Sequence, residues 1–281
     1  MKLYKYLPPE RIDVLTDCRI RYTQPGAFND PFEVKPYITT IAETDEAERK
    51  VDEIFLEETQ RTYDKLPVEE KSRIPYAVVQ DLAKQRRESL RGEFGKMLKS
   101  VTPLLRQTFD KQFNELIGIL TLAEKSDHIL MWSHYATSHE GFVLGFDSTN
   151  KYFDQKMSLS DEFRHLRKVE YRSQRPNAPL TALDGVDVFL VKNKDWEYEQ
   201  EWRIMRPLTD AVETISAEPF PIHLFAYPPS ALVEVVIGAR MRETHRVALL
   251  DVIRREQFNH VEIFQALPDE KEFKIALKKV E

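Results

Sequence analysis

The sequence predicts an α+β protein: small mixed or antiparallel sheets forming a cleft, with a helical insertion in the N-terminal third. Three observations predict it. From Ile117 onward, candidate strands outnumber candidate helices and lack the strict alternation of a doubly wound sheet. Between Ala42 and Leu116 the chain turns charged and glycine-poor, with apolar residues at helical spacing. There are 8 glycines in 281 residues, where an average usage near 7% gives roughly twenty. None of them spells a dinucleotide-binding or P-loop motif, so glycine-rich phosphate cradles are excluded. The organisation expected is one α+β domain over 1–281, with 42–116 a helical insertion or cap.

Taken in order, KLYKY reads as a strand, PPERIDVLTDC as a short helix opened by proline, RIRYT as a second strand, and QPGAFNDPFE as a loop. In the charged region, Pro67, Pro75 and Pro103 divide three or four helices. Leu90, Phe94, Met97, Val101 and Leu104 form an amphipathic stripe that needs a partner surface. IGILTLA is a buried strand. SDHILMWSHYA is a short helix capped at Ser126, and GFVLGFD the strand that follows. KVEYR, EWRIM, ALVEVVIGA, a helix from Arg242 to Gln257, HVEIFQA and FKIALKKV complete the chain, and RSQRPNAPLTALDG is its mobile loop.

Composition narrows the function classes. Hydrophobic residues at 42% and aromatics at 11% argue for folding despite 31% charged residues. A net charge of −6 offers no whole-protein attraction to nucleic acid or to an anionic membrane, so neither is the favoured partner. Cys18 stands alone and fits a reducing compartment. The start MKLYKYLPPER lacks an apolar leader segment and no window approaches 18 apolar residues, so a cytoplasmic location is expected.

The chemistry-bearing residues fall in three segments. If EYEQEWRIM is a strand, period two puts Glu197, Glu199, Glu201, Arg203 and Met205 on one face. Carboxylates so spaced raise one another's pKa unless a cation sits among them, and Arg203 relieves this only in part. Such a face suits a sugar hydroxyl or an oxocarbenium centre; the plainer alternative is a solvated salt-bridge ladder. Trp196 and Trp202 beside the carboxylates suggest a lined pocket. In SDHILMWSHYATSHEGFVLGFD, Ser133 and His134 are adjacent and point apart, and His134 and His139 lack metal-helix spacing. No metal is expected. Trp132 and Tyr135 either pack on the next strand or sandwich a planar ring. In the loop, Asn29 and Asp30 before Pro31 form a turn or line a pocket, with Phe28 and Phe32 as anchors. The basic run RHLRKVEYRSQR is either a solvated surface or a phosphate contact.

LYKYLPPERIDVLTDCRIRYTQPGAFNDPFE, ILMWSHYATSHEGFVLGFD, VEYR, WEYEQEWRIM and ALVEVVIGARM, in this order, resemble a bacterial family known as domain of unknown function family 2971. The E-x-E, the aromatic and basic first strand and the central aromatic segment also look like a distant form of the ADP-ribosyltransferase fold. That likeness implies NAD as substrate, held in a cleft between two small sheets. It implies Glu201 as the catalytic carboxylate at the nicotinamide ribose and Glu199 as the group that orients acceptor or sugar. Tyr4, Lys5 and Tyr6 would then bind the nicotinamide side, with Trp132 or Tyr135 stacked on the ring and Asn29, Asp30 and Arg203 lining the site.

Three readings stay open. The first is an NAD-cleaving enzyme that transfers ADP-ribose to a macromolecule or to water. The second is a non-catalytic binding or sensor module of a bacterial stress or phage-defence system, with the helical insertion as its protein-partner surface. The third is a nucleic-acid-processing protein using the basic run.

Overall fold

The computed structural model describes residues 1–90 and 92–280. In chain order its first elements are β1 (Lys2–Leu7), α1 (Asp13–Thr16), β2 (Arg19–Tyr22) and β3 (Tyr37–Ile38). Four helices follow: α2 (Thr44–Asp64), α3 (Val68–Arg73), α4 (Tyr76–Ser89) and α5 (Glu93–Leu116). The central part holds β4 (Ile117–Ala123), α6 (Ile129–Tyr135), β5 (Phe142–Asp147), β6 (Arg167–Lys168), β7 (Glu170–Arg172) and β8 (Asn177–Ala178). The rest is α7 (Gly185–Phe189), β9 (Val191–Asn193), β10 (Glu201–Pro207), β11 (Glu213–Ile215), β12 (Ile222–Ala226), β13 (Leu232–Ile237), α8 (Glu243–Ile253), β14 (Glu262–Pro268) and β15 (Ile275–Lys279). The class is α+β.

The chain divides into two compact units. The larger is Met1–Lys35, Asp110–Arg175 and Gly185–Glu281; the smaller is Pro36–Phe109 and Pro176–Asp184. An eight-stranded sheet, ordered β15-β14-β13-β5-β1-β4-β10-β6, forms the larger unit's frame, with β11-β12-β2 as a three-stranded companion. Among the described residues, the pairings in the large sheet are antiparallel except that of β13 with β14. Both faces of the large sheet are covered, which explains the nearly unbroken apolar run of β5. Leu3, Leu144, Leu122 and Ile204 enter one buried cluster; Tyr6, Val143 and Val236 enter another with Met131 and Trp132 of α6.

One irregularity positions the site. β1 pairs with β5 over six residues, from Lys2↔Asp147 to Leu7↔Phe142, but with β4 only at Tyr4↔Ala123. β4 turns its other edge to β10 through seven residues. β1 and β4 therefore part beyond Tyr4, and β2 enters beside them through a bridge between Thr23 and Ile119. The gap between diverging strands is where a ligand can reach side chains of both without breaking a complete ladder.

The smaller unit, by itself, contains α2, α3 and α4, the part of α5 up to residue 109, and the parallel pair β3 and β8. Three expectations are corrected here. Pro103 does not divide helices but lies inside α5 at an exposed position, where solvent can meet the carbonyl that its missing N–H leaves free. The stripe is displaced: α5 buries Gly95, Leu98 and Thr102, while Met97, Val101 and Leu104 are exposed and Leu90 lies just past α4. Gly95 packs closely there, a Cβ in its place lying 3.2 Å from the Thr44 methyl. Asn177 and Ala178, expected in the mobile loop, pair with Tyr37 and Ile38.

In the larger unit, Ser126 is not the cap of α6, since His128 holds the N-cap position without a side-chain bond. The Ser126 carbonyl instead accepts the indole N–H of Trp132 at 2.8 Å.

Candidate functional site

The E-x-E segment is not one strand. Residues 194–199 form a 3-10 turn, Gln200 takes left-handed backbone at φ 45° and ψ 54°, and the strand starts at Glu201. Glu197 therefore leaves the predicted face and is exposed. The kink still brings Glu199 and Glu201 together on one cation that sequence reasoning passed over. Lys192 Nζ donates to Glu199 at 2.6 Å and to Glu201 at 2.8 Å, and lies 3.4 Å from Glu33. β9 carries Lys192 beside Tyr171 of β7, and the Tyr171 hydroxyl accepts the Glu201 backbone N–H at 2.8 Å.

Arg203 closes the network from below. Its guanidinium donates to Glu201 at 2.7 Å, to the Phe189 carbonyl at 2.6 Å, and to Glu33. Glu33 ends the QPGAFNDPFE loop, and its involvement was not expected. Arg203 is 0% exposed and Glu201 3%, so the solvated ladder is ruled out: these ions are buried and must compensate one another.

The surroundings push the two carboxyls apart. Burial alone would raise Glu201, but the Arg203 and Lys192 cations, both hydrogen-bonded to it, hold it at about 2. Glu199 moves the other way, raised chiefly by burial and further by the Glu201 charge, against the pull of Lys192. Lys192 is desolvated, yet Glu201, Glu33 and Glu199 keep its proton bound well above the usual lysine range. The Tyr135 hydroxyl, raised by burial and by Glu199, stays protonated and donates to Glu199 at 2.6 Å. Asn29 donates to the same hydroxyl at 3.4 Å.

These groups border a cavity of about 360 Å³ in the gap between β1 and β4. Tyr4, Lys5 and Tyr6 come from β1, Arg21 and Thr23 from β2 and its exit, Thr121 to Ala123 from β4, and Met131, His134 and Tyr135 from α6. Ala27, Phe28, Asn29, Lys192, Glu199 and Glu201 complete the wall.

Of the residues expected at the site, Tyr4, Lys5, Tyr6, Asn29, Tyr135, Glu199 and Glu201 are on this wall. Asp30, Trp132 and Arg203 are not. Asp30 turns inward and accepts the Phe32 N–H at 2.8 Å, the self-bonded turn that residue favours. Trp132 is fully buried, edge-on to Tyr6 at 5.4 Å, because α6 packs its apolar face on the sheet. Arg203 lies beneath the wall as a support. Trp202 faces away, its indole N–H bonded to Glu124 at 2.9 Å, whereas Trp196 lies 5.2 Å from Lys192 Nζ. Phe32 is exposed rather than an anchor; Phe28 is partly buried, 5.8 Å from the Arg203 guanidinium.

Most cations of the basic run are paired with carboxylates, while Arg175 donates to the Lys35 carbonyl. Arg164 pairs with Asp210, Arg167 with Glu162, Lys168 with Glu124, and Arg172 with Glu170 and Asp187. Among the described residues no group of His, Cys, Asp and Glu is arranged to hold a metal ion, and no helix is long and apolar enough to cross a membrane.

Residues 131–204 match the model of a family described as Protein of unknown function (DUF2971). The matched span contains Tyr135, Lys192, Glu199, Glu201 and Arg203. The match supports the likeness to that family of unknown function. No curated protein and no solved structure matches the chain.

Proposed function

We propose that the cavity is an enzyme active site that cleaves the N-glycosidic bond of NAD and passes ADP-ribose to a macromolecular acceptor or to water. The observation that carries this reading is the anchoring of Glu199 and Glu201 on Lys192, at the wall of a cavity also bordered by Tyr4, Tyr6 and Tyr135. The cavity volume lies within the roughly 300–1,000 Å³ span of small-molecule sites. Side chains of β1, β9, β10, α6 and the 194–199 turn line the cavity.

The two carboxyls take different work because their environments separate their proton affinities. Glu201 stays anionic and supports the positive charge that grows at the ribose C1′ as its bond to nicotinamide breaks. The electron pair of that bond leaves with nicotinamide. The acceptor hydroxyl or water then bonds to C1′ and gives its proton to Glu199, whose raised affinity suits a base. Tyr135 holds Glu199 in place, and its ring offers a stacking face.

A binding or sensor module is the second reading. It is favoured by the engagement of both Glu201 carboxylate oxygens, one by Arg203 and one by Lys192.

The test is release of nicotinamide from NAD labelled in its pyridine ring. Wild type should release it, and Glu201→Gln, shown by melting to be folded, should be slower by about 100-fold or more. Equal rates overturn the role given to Glu201. NAD binding without any release overturns catalysis and selects the sensor module.

A further inference from the structure

Two cations on the cavity wall form no direct ion pair among the described residues. Lys5 Nζ donates only to neutral oxygens of Thr121, the carbonyl at 3.1 Å and Oγ1 at 3.0 Å. Arg21, half-buried on β2, has a buried Nε without a hydrogen-bond partner, and none of its nitrogens forms an ion pair among the described residues. Both residues border the cavity. Burial lowers the proton affinity of Arg21, and the Arg11 cation lowers it further. Burial likewise brings Lys5 down to about 8, with Glu201 and Glu199 opposing and Arg11 and Arg21 assisting.

A buried guanidinium N–H without an acceptor is costly unless a ligand supplies one. The acidic residues nearby do not supply it, since Glu201 and Glu33 are held by Arg203 and Lys192, and Glu199 by Lys192 and Tyr135. A neutral sugar or amide would bring neither cation an ion-pair partner. A phosphoryl group meets the planar fork of an arginine with two oxygens and leaves a third for a lysine point charge.

We propose that Lys5 and Arg21 form an anion subsite of this cavity, one that takes a phosphoryl group attached to the ligand's sugar. The cavity thus has two chemically distinct parts, a carboxylate pair for sugar hydroxyls and a cationic pair for phosphate. The inference rests on the cavity being a ligand site, as read above, and is independent of which bond is cleaved there.

Nicotinamide mononucleotide and nicotinamide riboside differ by one phosphate, and calorimetric titration of the two isolates its contribution. Wild type should bind the mononucleotide at least tenfold more tightly, within the roughly tenfold to hundredfold worth of charge-assisted hydrogen bonds. Arg21→Gln and Lys5→Met should each shrink that preference. Inorganic pyrophosphate should compete with the mononucleotide for wild type, and malonate, a dianion without phosphorus, should compete at least tenfold less well. Equal binding of the two nucleotides, a preference retained in both variants, or malonate equal to pyrophosphate overturns the subsite. If Arg21→Gln does not fold, Lys5→Met and the competition decide. A protein that binds phosphate through Arg21 yet releases no nicotinamide from NAD refutes the catalytic reading alone. One that turns NAD over with no phosphate preference refutes the subsite alone.

Discussion

Glu201 joins a buried ion network whose stability depends on which of its members carries a proton. Its carboxyl sits at about 2 in the folded protein against an ordinary 4.5, because Arg203 and Lys192 overcome the cost of burial. A carboxyl depressed on folding stabilises fully above its unfolded value and loses that contribution as pH falls through the folded one. The window is therefore pH 4.5 down to about 2. Glu199 has the opposite sign, since a raised carboxyl costs stability as pH rises above its unfolded value. Urea unfolding of wild type should show stability falling from pH 4.5 toward 2, and Glu201→Gln should flatten part of that slope. An unchanged slope in the variant would show that Glu201 is not the group responsible.

At the scale of elements, the decisive feature is the change from 3-10 turn to strand at Gln200. Left-handed backbone at a non-glycine residue costs about 1–2 kcal/mol, and here it lets Glu199 and Glu201 share one ammonium. Gln200→Gly should be nearly neutral in stability, because relief of that cost offsets the entropy glycine loses on folding. Gln200→Val should destabilise by roughly 1–2 kcal/mol and slow nicotinamide release, since a β-branched residue resists positive φ. Denaturant midpoints and turnover measured together check both; a fully active, fully stable valine variant would mean the kink does not position the carboxylates. Strand alternation was readable from Glu201 onward, where Glu201, Arg203 and Met205 do share a face. The kink was not readable, because Gln200 is not a residue type that announces positive φ.

For the whole chain, burial differs sharply between elements. α2 and α3 bury no residue, whereas β5 and β13 are almost wholly buried. Amide hydrogen exchange should accordingly be faster in α2 and α3 than in β5 and β13, as expected where few apolar contacts oppose local opening. Equal protection in the two sets would contradict that ordering. The sequence by itself determined the class and most of the elements, because apolar periodicity and proline placement are local and each element carries its own record of them. It also marked Glu199, Glu201 and Tyr135, whose residue types and neighbours are informative in themselves. Tertiary structure alone decided that Lys192 answers both carboxylates, that Glu33 and Arg203 lie beneath them, that Trp132 belongs to the core, and that Arg21 borders the cavity. Those facts depend on the parting of β1 from β4 and on contacts such as Glu33 with Arg203, which are 170 residues apart. Charge compensation is settled by distance in space, and a linear pattern records only neighbours along the chain.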